Sequence, residues 1–251
     1  MTVNRTNRIL EKLRLKAALC RRIWSSFDED HRRRGIEVSF SQSGEDILSL
    51  YALRRLGITV PSYIDIGANH PTKFSNTYLF YLLGGRGLNI EPDPEMASLI
   101  RKERPRDETL NVGAGREAGE LEFFIMAQSA FNTFSRAEAE QVQRTSGIAL
   151  SETMKIGVVN IGALLRERDF VPDFMNVDVE GMDMDILASV DWERTRPGVV
   201  CVETVDYTTQ EKRPEVTEFM RSKDYAPYAD TFLNTIYIDG RKWGARREVL
   251  G

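Results

Sequence analysis

Residues 62–71, Ser-Tyr-Ile-Asp-Ile-Gly-Ala-Asn-His-Pro, constrain the fold more than any other stretch of the chain. The apolar run from Tyr63 to Ile66 reads as a buried strand, and Gly67 follows where the chain must turn sharply. An acid, Asp65, stands near the strand's end. In an open parallel sheet, ligands sit beyond the carboxyl ends of the strands, so Asp65, Gly67 and Asn69 are expected to line the floor of a pocket.

A dinucleotide site wants glycine at all three places of G-x-G-x-x-G, because backbone amides must approach a pyrophosphate closely. Counted from Gly67, those places hold Asn69 and Thr72. Asp65 would also face the pyrophosphate without a compensating cation, whereas it would attract the ammonium of an amino-acid moiety. That favours S-adenosylmethionine over a nicotinamide dinucleotide. Further on, Gly87-Leu88-Asn89-Ile90-Glu91-Pro92 reads as a second strand ending in an acid placed to hydrogen-bond ribose hydroxyls, a feature that fits either cofactor.

With Asp65-x-Gly67-Ala68-Asn69, Asn89-Ile90-Glu91-Pro92 and Asp178-Val179-Glu180-Gly181 in register, the chain resembles the FkbM-type S-adenosylmethionine-dependent methyltransferases. Ser41-Gln42-Ser43-Gly44-Glu45-Asp46 and Phe74-Ser75-Asn76-Thr77-Tyr78 are similar to one branch of that family, and the likeness runs over about residues 40 to 238. It departs after Asn69, where many members carry a glycine two residues on and this chain has His70-Pro71, a proline that fixes φ and removes an amide donor. The resemblance implies a Rossmann-like class I methyltransferase sheet, mostly parallel, with an antiparallel C-terminal hairpin and helices on both faces. It also implies that Gln42 and Asp46 close over the cofactor, that Ala68 and Pro92 join Asp65, Gly67, Asn69 and Glu91 in binding it, and that Asn111, Val112 and Gly113 sit beside the adenine.

At 251 residues the chain suits one α/β domain with a substantial core. Its formal net charge of -4 hides an asymmetry, since residues 1–35 hold ten Lys or Arg against four acids. The remainder is acidic and has no basic stripe interleaved with aromatics, which argues against nucleic acid as a partner. Cys20 and Cys201 are far apart and lack C-x-x-C partners, so neither a disulfide framework nor a zinc site is indicated. No apolar run approaches the roughly 18–20 residues that span a bilayer, and no apolar signal core opens the sequence. A cytoplasmic protein is expected.

Residues 4–27 read as a basic amphipathic helix, with Ile9, Leu13, Ala17, Cys20, Trp24 and Phe27 on one stripe. Such a helix either caps the main domain or a second subunit, as in a homodimer, or touches an anionic membrane surface or lipid carrier. With a charged linker containing His31 it forms a first segment, residues 1–38, ahead of a methyltransferase-like domain at 39–251. Ser43 is expected to cap a helix with Asp46 in a capping-box-like place. Alternating helices and strands follow: a helix over 76–83, a helix over 94–103 with Pro94 at its start, and strands over 109–112, 120–126, 155–159, 174–179, 197–203, 225–228 and 232–238. A helix over 213–223 precedes the last two, and the segment from Asp239 reads as an exposed basic tail. Residues 120–126 begin an insertion suited to an acceptor-side lid, in which Phe131 to Ser135 offers aromatic and polar groups to a sugar.

Methyl transfer from a sulfonium needs an aligned acceptor and, for a sugar hydroxyl, a base or a metal. Asp178, at the end of the fourth strand, is the first candidate for base or acceptor anchor and is counted among the cofactor contacts as well. Glu180 is the second, and His70, on the loop nearest the methionine end, is the third. Asp178, Glu180 and Glu203 would also offer an oxygen-rich Mg²⁺ site. The expected activity, its substrate class taken from the resemblance, is O-methylation of a hydroxyl on a glycan acceptor: a sugar in a glycolipid, polysaccharide or glycosylated natural product. The competing readings are an NAD(P)-dependent oxidoreductase and a non-catalytic nucleotide-fold binding protein.

Overall fold

The computed structural model describes residues 38–179, 181–206 and 211–250. In chain order, α1 (Glu45–Arg55), β1 (Tyr63–Ile66), α2 (Tyr78–Leu82), β2 (Gly87–Ile90), α3 (Pro94–Glu103) and β3 (Glu108–Leu110) form the first half. An excursion follows, made of β4 (Gly113–Gly115), β5 (Gly119–Met126), α4 (Arg136–Ser146) and β6 (Leu150–Asn160). After α5 (Ile161–Glu167) come β7 (Phe174–Val177), α6 (Asp183–Ser189), β8 (Val199–Glu203), and the short β9 (Val205–Asp206) and β10 (Glu211–Lys212). Helix α7 (Pro214–Ser222), β11 (Tyr225–Asp230), β12 (Asn234–Asp239) and α8 (Gly240–Leu250) close the chain.

The main sheet runs β11-β12-β8-β7-β1-β2-β3. Strand β12 is antiparallel to both its neighbours, and the pairs from β8 to β3 are parallel. This is the expected mostly parallel sheet with its antiparallel C-terminal hairpin. Both faces are covered, as a parallel sheet requires. Ile64, Ile66, Met175, Val177, Val200 and Val202 pack with Leu165, Ile186, Leu187 and Met220 in one core. The alternate residues Tyr63, Phe174, Val199 and Cys201 pack with Leu50, Leu53 and Phe80 in the other. Truncating a fully buried Ile64 or Ile66 to alanine would cost roughly 2–5 kcal/mol.

On that second face the apolar alternation breaks at one place. Asp65 pairs in register with Asn89 on one side and Asn176 on the other, so three buried polar side chains form a row across β2, β1 and β7. Buried polar groups need partners, and this row marks where the structure departs from plain core packing.

Four local expectations are corrected. Helix α1 is capped by Gly44 at φ 90, not by Ser43, whose amide instead donates to the Glu45 carboxylate at 2.8 Å. The third strand stops at Leu110, and Gly113–Gly115 leave the main sheet to pair with β6. The 76–83 helix shrinks to Tyr78–Leu82, because Ser75, Asn76 and Thr77 spend their side chains on buried contacts. The supposed tail is helix α8, with Trp243 packed on the core. The 4–27 helix, the linker with His31, Cys20 and Glu180 lie outside the described residues.

Candidate active site

A cavity of about 530 Å³ opens at the carboxyl edge of β1, β2 and β7. Its floor holds Asp65, Gly67, Ala68 and Asn69 from the end of β1, Glu91 and Pro92 from β2, and Asp178 from β7. The opposite wall comes from the excursion, through Phe123, Gln128, Asn132, Thr133 and Phe134. Gln42, His70, Lys73 and Phe74 also line it.

The turn after β1 is packed too tightly for any residue but glycine. Gly67 sits at φ 83, and a Cβ there would lie 1.8 Å from the Asp178 carbonyl oxygen. Its amide and that of Ala68 donate to the Ile90 carbonyl, which ties the turn to β2. Asn69 follows at φ 47, a left-handed conformation that asparagine tolerates better than most residues. The Asn69 Oδ1 is buried and finds no hydrogen-bond partner among the described residues.

Glu91 closes the floor. Its Oε2 accepts the Asn69 amide at 2.6 Å and its Oε1 the Asp93 amide at 2.7 Å, leaving a second lone pair on each oxygen. Burial, opposed by those two amides, pushes its carboxyl up to about 8. Asn111 donates its side-chain amide to the carbonyls of Glu91 and Pro92 at 2.9 and 2.8 Å. It therefore braces the floor from behind; neither it nor Val112 nor Gly113 lines the cavity, contrary to expectation. Val112 packs against the core, and Gly113 is pressed on by Phe134. The cause is the early end of β3, which turns this segment into the second sheet.

Asp65 is only 2% exposed. Thr77 Oγ1 donates to its Oδ2 at 2.5 Å and Asn176 Nδ2 to its Oδ1 at 2.9 Å. Burial raises its pKa and the nearby Arg104 works against that rise. The sequence showed no compensating cation, yet Arg104 lies fully buried behind it, bonded to Thr77 at 3.0 Å and to Asp107 at 2.7 Å.

Asp178 is placed differently. It is partly exposed to the cavity, and no side chain or amide among the described residues donates to its carboxylate. Burial, followed by the charges of Asp183, Asp65 and Glu45 and opposed by Arg213, pushes it up to about 7. Asp183 accepts the Val179 amide at 3.2 Å and the Arg213 guanidinium at 2.9 Å, and Arg213 also donates to the Glu203 carbonyl at 2.7 Å. This clamp fixes the ends of β7 and β8 and was not foreseen from sequence; an acid four residues after Val179 at a helix start was its one visible sign.

The other candidates separate in the same way. His70 Nδ1 accepts the amides of Thr72 and Lys73 at 3.2 and 3.1 Å. The neutral ring then carries its proton on Nε2, so it can donate into the cavity but has no free basic nitrogen there. Burial and Lys73 lower its pKa, which keeps it neutral. Asp46 is fully buried and does not line the cavity; Ser39, Ser41 and the amides of Phe40 and Ile47 occupy its carboxylate. Its part is to shape the loop that presents Gln42. Glu203 is also buried away from the cavity, 3.8 Å from Arg213. Among the described residues no group of three or more His, Cys, Asp or Glu side chains is disposed to hold a metal, and Glu203 does not line the cavity that Asp178 lines. No helix among the described residues is long and apolar enough to cross a membrane.

The residues fit S-adenosylmethionine. The Gly67 turn packs directly on the Asp178 backbone and so holds the ends of β1 and β7 together at the cavity, the orphaned Asn69 Oδ1 offers an acceptor, and acids stand at the ends of adjacent strands as a cofactor with hydroxyls and an ammonium demands. Fold and site together define a Rossmann-like S-adenosylmethionine-dependent methyltransferase. The methyltransferase FkbM domain matches residues 65–227, more than half of the chain, and the chain belongs to that family. The nicotinamide and non-catalytic readings are set aside by this membership.

Similar solved structures include a methyltransferase from Geobacter sulfurreducens, 12% identical over 90% of this chain and 96% of that one, with a TM-score of 0.45. A putative caffeoyl-CoA O-methyltransferase from Staphylococcus aureus is 10% identical over 86% and 91%, TM-score 0.44. A TehB-like SAM-dependent methyltransferase from Corynebacterium glutamicum is 10% identical over 87% and 97%, TM-score 0.41. No curated protein sequence matches the chain.

Proposed function

We propose that the protein is an O-methyltransferase acting on a hydroxyl of a sugar in a glycolipid, polysaccharide or glycosylated natural product, with Asp178 as the base. The observation that carries this reading is Asp178 itself: an acid with no donor among the described residues, at the mouth of the cofactor cavity, pushed up to about 7. A base poised near neutrality combines a useful ionised fraction with enough basicity to assist a hydroxyl.

When bound, S-adenosylmethionine supplies an electrophilic methyl on a sulfonium. Glu91 would hydrogen-bond the ribose hydroxyls and Asp65 would accept the ammonium, with Asn69 Oδ1 as a further acceptor. Asp178 would take the acceptor's proton. Support for a carbohydrate comes from the facing wall, where the Gln128 amide stands with the rings of Phe123 and Phe134, a pairing of amide and ring faces suited to sugar hydroxyls and C–H surfaces. Asn132 is tied to Asp93 at 2.8 Å, so the lid is anchored to the helix that follows Glu91.

Incubating the protein with methyl-labelled cofactor and a panel of glycosides, with and without chelator, tests the reading. Labelled methyl ether on a sugar, insensitive to chelator and abolished by Asp178→Asn, is the expected result. Label on nitrogen, or chelator-sensitive transfer that survives Asp178→Asn, would refute it.

A further inference from the structure

We propose that Thr77 and Arg104 are positioning residues whose hydrogen-bond relay holds Asp65 as the seat of the cofactor's ammonium group, an inference that rests on the cofactor placement above. A guanidinium can only donate. With Arg104 Nη2 donating to Thr77 Oγ1 at 3.0 Å, the one proton of that hydroxyl is free to point to Asp65 Oδ2 at 2.5 Å. The alternative neighbour, Ser75 Oγ, lies at 3.5 Å, the limit of a hydrogen bond. From the other side Asn76 Nδ2 donates to Asn176 Oδ1 at 2.9 Å, which orients that amide so that its own Nδ2 donates to Asp65 Oδ1. Both chains of donors converge on one carboxylate, and the arrangement suits its ionised form.

Charge counting says why. The buried cluster holds two carboxylates, Asp65 and Asp107, and one guanidinium, Arg104. Asp107 takes the direct ion pair at 2.7 Å, together with the Tyr63 hydroxyl and the Gly87 amide at 2.9 Å each. One formal negative charge is left over, and it falls on Asp65, the member of the pair that lines the cavity. A buried, incompletely compensated carboxylate is costly, and a cation arriving from the cavity offsets that cost. Arg104 thus supplies enough positive charge to keep Asp65 buried without satisfying it, and Thr77 passes the effect on.

The experiment compares two ligands by isothermal titration: S-adenosylhomocysteine, which has the amino-acid end, and 5′-methylthioadenosine, which lacks it. Thr77→Val should weaken S-adenosylhomocysteine at least tenfold and leave methylthioadenosine within about twofold, and Thr77→Ser should restore the wild-type ratio. Arg104→Lys, which keeps the charge but loses the planar fork, should show the same selective loss at smaller size. Thermal melts of each variant accompany the titrations. Equal weakening of both ligands, or an unchanged ratio in Thr77→Val, overturns the relay while leaving the cofactor assignment standing. Wild-type protein that bound neither compound would overturn that assignment, and the relay with it.

Discussion

The ends of β1 and β7 lie side by side in the sheet and present an aspartate each to one cavity, yet the two acids are held in opposite ways. Asp65 is almost fully buried beside Thr77 at the start of α2, with donors on both oxygens, an arginine behind it and a fixed geometry. Asp178 sits beyond the last sheet pairing, partly exposed, and its neighbours are mostly other acids. The first arrangement surrounds a carboxylate with donors that oppose the rise burial imposes on it; the second leaves a carboxylate without such donors to titrate near neutrality. A single sheet edge thereby provides a binding acid and a titrating acid, distinguished by what packs behind each strand.

The most severe way to break this contrast is to remove the turn both acids share. Gly67→Ala drives a methyl group into the Asp178 carbonyl from a backbone at φ 83, and should abolish binding of S-adenosylhomocysteine by titration, with a lower melting temperature. Asp178→Asn comes next: turnover should fall about 10²–10⁴-fold, the range for a lost general base, while the fold survives.

Smaller effects follow from pH. Turnover should rise with pH through about 7 as Asp178 ionises. Its folded pKa lies above the ordinary carboxylate value, so the stability associated with it is present at low pH and is lost as pH climbs through about 7. Asp178→Asn should accordingly raise the melting temperature more at pH 8 than at pH 5, by roughly 2–4 °C for each kcal/mol relieved. The mildest change is on the far wall: Asn132→Ala unties the lid from Asp93 and should raise the acceptor KM several-fold with cofactor affinity kept.

Much of this was legible in the sequence because local rules agree with the fold. Apolar strands bounded by glycine, Pro94 opening α3, and acids at strand ends all appear where the residues place them. Asp65, Gly67, Ala68, Asn69, Glu91, Pro92 and Asp178 meet in one cavity, as their strand-end positions require. What was hidden depends on contacts between distant segments. Arg104 stands just past the expected 94–103 helix in the charge-rich run Arg101-Lys-Glu-Arg-Pro-Arg-Asp107, where no local feature marks it for burial; that burial is set by Tyr63 and Thr77, far away in sequence. Asn111 to Gly113 look like a strand end until β6 captures the chain from the other side. Asp46 and His70 carry residue types that suit chemistry, and only their hydrogen-bond partners reveal that each braces a loop.

The division of labour between the two aspartates is tested most directly by titrating S-adenosylhomocysteine into wild type, Asp65→Asn and Asp178→Asn at one pH. The account predicts affinity at least tenfold weaker for Asp65→Asn, about 1.4 kcal/mol or more, and within about threefold of wild type for Asp178→Asn. Full affinity in Asp65→Asn together with lost affinity in Asp178→Asn would contradict it.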